Sequence, residues 1–144
     1  MSLETDLERY LARCAEATFA YGSFDCVSFC AAWLDEWLGT DYATDLRRRF
    51  PYTDAAGALE VLGKHGGLEP IVTEYLGFMQ PPASLATGDI ALLVREAVDG
   101  QQQLLGIVAP SQVLVPWVTG GVVAIARDFV VGGWALPPRA AQVE

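Results

Sequence analysis

The spacing of apolar residues changes at Pro81-Pro82, and no other feature limits the possible folds of this chain so strongly. Before that pair, apolar residues recur at helical intervals. After it they gather in short β-branched runs bounded by Gly, Pro and Asp. Helices followed by strands predict an α+β fold, with N-terminal helices packed on a C-terminal antiparallel sheet of about five strands. A chain of 144 residues has room for one core. The expected organisation is a single domain over 1–144, with a helical half at 1–80 and a β half at 83–136.

In the helical half, Leu3, Leu7, Tyr10, Leu11 and Cys14 share one helix face, which predicts a helix over about 4–17. Tyr21-Gly22-Ser23-Phe24 interrupts it. Asp25 is then placed to N-cap a helix from Cys26 to Leu38 that ends at Gly39. That helix is apolar almost all round, from Val27 and Phe29 to Trp33 and Trp37, so it is expected at the centre of the core. A polar segment from Thr40 carries Arg47, Arg48 and Arg49, read either as a site for an acidic partner or, preferably, as a solvated helix end. Asp54 caps a further helix over 55–64, closed by His65-Gly66-Gly67, and a short helix or turn covers 69–76.

In the β half, strands are expected over about 88–94, 103–108, 112–118, 122–126 and 129–136. Asp99-Gly100 marks a hairpin between the first two, and Gly120-Gly121 a tight turn between the third and fourth. Trp117, Phe129 and Trp134 are expected in the core. Pro116 and the Gly-rich turns suggest strand edges with few protective charges, and Pro137-Pro138 and the tail are expected to fray.

Composition narrows the functions available. A net charge of −9, from 18 acidic and 9 basic residues, argues against nucleic acid and anionic membrane surfaces, whose binding relies on Lys and Arg. Residues 81–144 hold only five acidic and three basic side chains, so much of that half should be core or interface. No apolar run reaches the roughly 18 residues of a bilayer span, so no membrane insertion is expected. The acidic N-terminus lacks the pattern of a signal peptide. Cys14, Cys26 and Cys30 are therefore expected as reduced thiols. They lack the further soft or imidazole ligands of a metal site, and neither metal nor cofactor is expected.

Cys26 at a helix N-terminus has the position of a nucleophile, since the positive end of the helix dipole favours a thiolate. Acyl transfer also needs a base to take and return a proton. His65 is the only histidine. At the end of a helix and before a capping Gly, its position is already explained by structure. Asp25 is explained by capping, and Asp89 by the turn that opens a strand.

The ordered set Tyr21-Gly22, Asp25-Cys26-Val27-Ser28, Gly88-Asp89-Ile90 and Leu104-Leu105-Gly106-Ile107 resembles the NlpC-type cell-wall peptidases of the papain-like superfamily. In that family the corresponding segments are a Tyr-x-x-Gly-like turn, Asp-Cys-Ser-Gly, a Gly-Asp strand start and His-Val-Gly-Ile. The resemblance implies Tyr21, Asp25 and Cys26 as remnants of an active site, with Leu104 standing where the catalytic imidazole belongs. With Trp134-Ala135 added, the pattern is more closely similar to a group of proteins encoded in tailed-phage and prophage tail-gene clusters. It implies a virion protein of the tail tip or baseplate region, made in the host cytoplasm, whose partners are hub, distal tail or fibre-region subunits. The expectation is a non-catalytic assembly protein; the alternatives are a cysteine peptidase or amidase acting on peptidoglycan through Cys26, and a small-molecule binding domain.

Overall fold

A computed structural model of the chain describes residues 2–98 and 100–138. Five helices precede five strands: α1 (Leu3–Cys14), α2 (Cys26–Leu38), α3 (Tyr42–Arg49), α4 (Ala55–His65), α5 (Leu68–Leu76), β1 (Ile90–Ala97), β2 (Gly100–Val108), β3 (Gln112–Pro116), β4 (Val122–Ala126) and β5 (Val130–Trp134). The strands form one antiparallel sheet in the order β4-β3-β2-β1-β5. The α+β architecture is that expected from the switch at Pro81-Pro82. No helix among the described residues is long and apolar enough to cross a membrane.

Local chemistry sets the helix bounds. The Ser2 hydroxyl accepts from the Thr5 N–H at the head of α1, and Glu4 and Asp6 lie in its first turn. At α2, Asp25 and Ser28 make a reciprocal capping box, and Gly39, with φ of 74°, closes the other end. α1 is shorter than its apolar spacing suggests, because the chain turns at Ala15 and the Ala17 N–H bonds back to the Cys14 carbonyl. The polar stretch after Gly39 is a full helix, α3, with no buried residue. Its arginines are solvated, and Arg48 and Arg49 pair with Asp45.

Alternation along the strands divides the apolar residues between two faces. Ile90, Leu92, Leu105, Ile107 and Trp134 pack with Phe29 and Trp33 of α2 and Tyr10 of α1. Ala91, Leu93, Val108, Val113 and Val115 form a second cluster on the other face. Phe29, Trp33 and Trp134 are completely buried, so α2 is the central helix. Its register on the sheet is fixed by the Trp33 indole N–H, which donates to the Gly88 carbonyl at 2.9 Å.

Several expectations need correcting. Phe129 is 44% exposed, because it lies outside the strands, at the end of the 3-10 turn Arg127–Phe129 that joins β4 to β5. Pro116 is not on an edge strand: β3 lies between β2 and β4, and Pro116 pairs with Val122. Pro137 is held rather than frayed, its carbonyl accepting from the Trp37 indole at 3.3 Å. The rest of the expected frayed tail, residues 139–144, lies outside the described residues, as does Asp99 of the expected hairpin. The hairpin itself is present, with Ala97 opposite Gly100.

Candidate functional site

Between the head of α2, helices α3 and α4, and the end of the sheet lies a cleft of about 1070 Å³. β2 and β3 pair at Ile107–Leu114 and Val108–Val113, and the earlier part of β2 and the chain after β3 contribute to the cleft wall. Cys26 and Tyr21 face it from one side, Phe50 and Tyr52 from the segment between α3 and α4, and Leu104 and Trp117 from the sheet.

Asp25 and Cys26 are adjacent in sequence but occupy different environments. Asp25 is buried, and its carboxylate accepts four hydrogen bonds. Oδ1 takes the Ser28 N–H at 2.9 Å and the Ser28 hydroxyl at 2.7 Å; Oδ2 takes the Gly22 N–H at 2.8 Å and the Tyr52 hydroxyl at 2.6 Å. A carboxylate so fully engaged ties the head of α2 to the turn before it and to Tyr52. Asp89 is engaged in the same way: its oxygens accept from the Ala86 and Leu136 N–H groups, tying the start of β1 to the chain beyond β5.

Cys26 occupies the first position of α2 and is half-buried in the cleft wall. Burial pushes its thiol up to about 12, and the neighbouring Asp25 charge adds to the rise. The Leu105, Cys26 and Val27 backbone N–H groups pull the other way. Desolvation therefore works against the thiolate that a helix N-terminus favours. Cys30, one turn further on, is buried and pushed well above the ordinary thiol range by the same desolvation.

Of the other sequence-based candidates, Tyr21 lines the cleft and packs edge-on against Phe19, with ring centroids 5.0 Å apart. His65 is exposed, with its ring edge-on to Phe50 at 4.9 Å. The cleft wall in that region is made by Gly63, Gly66 and Gly67. Leu104 and Leu105 point to opposite faces of β2: Leu105 joins the α2 cluster, whereas Leu104 joins the second cluster and contributes to the cleft wall there. On the same face as Leu105 but two residues earlier, Gln103 also lines the cleft, and its Oε1 accepts from the Leu68 N–H at 2.9 Å, capping α5. Its amide offers neither a base nor an acid. Among the described residues no group of three or more His, Cys, Asp or Glu could hold a metal ion.

The sequence reading missed Tyr52 and Gln103. Each meets its partner far along the chain, 27 residues away for Tyr52 to Asp25 and 35 for Gln103 to Leu68, so no local motif marks them.

The model of one protein family, a domain of unknown function (DUF6950), matches residues 2–136. The chain belongs to the DUF6950 family. The match spans every helix and strand above and every residue that lines the cleft. No curated protein matches the chain.

Proposed function

We propose that this DUF6950 domain is a non-catalytic structural or assembly protein of a phage or prophage tail, built on a degenerate NlpC-type cysteine-peptidase fold and binding a partner through the cleft beside Cys26. The observation that carries the non-catalytic part is the state of Cys26. It has the nucleophile's position at the head of α2, yet burial holds its thiol neutral, with the pKa at about 12. Neither candidate base is placed to serve it: Asp25 is held by four hydrogen bonds, and His65 is exposed, rests against Phe50 and is not among the described residues that line the cleft. An acyl-transfer enzyme needs the reverse, a depressed thiol pKa and a base within hydrogen-bond reach. The tail assignment rests on the ordered Tyr-Gly, Asp-Cys, Gly-Asp and Leu-Gly-Ile segments, with Leu in place of the family's His.

Two measurements test this reading. Mass spectrometry of purified particles of the encoding phage or prophage should find the protein in the tail fraction at a fixed ratio to hub subunits; its absence from particles would sink the tail assignment. Incubation with peptidoglycan or its stem peptides should release no product. A hydrolysis lost in both Cys26→Ser and His65→Ala would replace the assembly role by a cysteine peptidase or amidase.

A further inference from the structure

The basic side chains of this acidic protein are distributed in a way that bears on what the cleft receives. Among the described residues Arg9, Arg13, Arg48, Arg49 and Lys64 each pair with a carboxylate. Arg127 donates to the Ala109 carbonyl. Arg47 and Arg95 meet no carboxylate within ion-pair distance, and both line the cleft. Arg95 lies over the Trp117 ring at 5.3 Å and donates to the Gln102 amide oxygen at 2.7 Å, which fixes its position and leaves its charge uncompensated. Among the described residues the only acidic side chain in the cleft wall, Asp25, is buried and accepts four hydrogen bonds. Of the three described cations that pair with no carboxylate, Arg47, Arg95 and Arg127, the first two thus line one concavity of an acidic chain.

That concavity is otherwise apolar. Two of the most exposed large apolar side chains of the molecule, Leu59 at 69% and Val118 at 65%, belong to its wall. They come from α4 and from the chain beyond β3, with Phe50 and Trp117 also in the lining. A concave surface lined by apolar side chains and rimmed by polar ones suits a partner that covers it. Cations without carboxylates select the sign of that partner's charge.

We propose that the cleft binds an extended segment of another protein that places apolar side chains against Phe50, Leu59, Trp117 and Val118 and acidic side chains against Arg47 and Arg95. The inference rests on the cleft being a binding site, and it adds the chemistry of the bound partner.

The test uses the full chain and two sets of fluorescein-labelled heptapeptides, each with a core of Leu, Val and Phe, flanked by Asp in one set and by Lys in the other. Fluorescence anisotropy should give the Asp set about tenfold tighter binding, weakening as salt is raised. Arg47→Glu and Arg95→Glu should each weaken the Asp set by about fivefold. Arg48→Glu, which reverses a neighbouring charge outside the cleft, should leave the affinity unchanged. Thermal melts identify any variant that has lost its fold; Arg47, which makes no ion pair, then carries the result. Equal affinity for the two sets, binding of neither, or displacement of the Asp set by decanoate at comparable affinity would overturn the proposal, the last by making the cleft a site for small amphiphilic acids. Any of these results would leave the tail assignment standing or falling on particle composition alone.

Discussion

A Cβ at Gly22 would lie 2.3 Å from the Tyr52 carbonyl oxygen, and φ there is 87°. Glycine is therefore required twice, for the close approach of the two segments and for the left-handed backbone. The same residue's N–H and the Tyr52 hydroxyl share Oδ2 of Asp25, so one turn joins the head of α2 to the wall between α3 and α4. Gly22→Ala should lower unfolding free energy by about 2–3 kcal/mol, read by urea denaturation. Tyr52→Phe removes one of four donors to a buried carboxylate and should cost about 1–2 kcal/mol while leaving the spectrum of the folded state intact. A neutral effect of Tyr52→Phe would mean that Asp25 does not depend on that bond. The Tyr-Gly and Asp-Cys pairs were legible in sequence; Tyr52 was not, because a lone tyrosine in a loop gives no sign of a partner 27 residues earlier.

Among the elements, α2 was read to the residue because both of its stops are local: Asp25 with Ser28 at one end and Gly39 at the other. α3 was seen only as a polar stretch. Its own N-cap, Asp41, makes no side-chain hydrogen bond, and its first N–H groups are satisfied from the preceding helix instead. Asp35 Oδ1 accepts from the Tyr42 N–H at 2.7 Å and Oδ2 from the Ala43 N–H at 3.0 Å. Asp35→Ala should therefore destabilise by about 1–2 kcal/mol and speed amide exchange selectively in α3. Uniform acceleration across α2 and α3 would show that Asp35 supports the core and not the cap. The strands were placed well by their β-branched runs. Phe129 was misplaced because a single aromatic beside Val130 reads as strand, whereas it ends the 3-10 turn that joins β4 to β5.

Across the whole molecule, burial raises the pKa of Cys26 and Cys30, and of Tyr10 and Tyr52 among the phenols. Each group stays neutral in the folded protein over a pH range in which its unfolded counterpart has begun to ionise. The resulting stability is complete below the ordinary thiol value of about 8.5 and is lost as pH climbs toward and through the raised values. Unfolding free energy should be flat from about pH 6 to 8 with respect to these groups. Above about pH 9 it should fall by at most about 1.4 kcal/mol per pH unit for each group. Cys26→Ala should make that fall shallower, and an unchanged slope would remove Cys26 from the set.

The helix start at Asp25-Cys26 holds a thiol that burial keeps from activation, in the wall of the cleft. The rate of alkylation of Cys26 by iodoacetamide, followed as a function of pH by mass spectrometry of the peptide that contains it, tests this most directly. A rate still rising at pH 10, with no plateau at lower pH, is the predicted result. A plateau below about pH 8 would mean a stabilised thiolate at the head of α2 and would contradict the non-catalytic account.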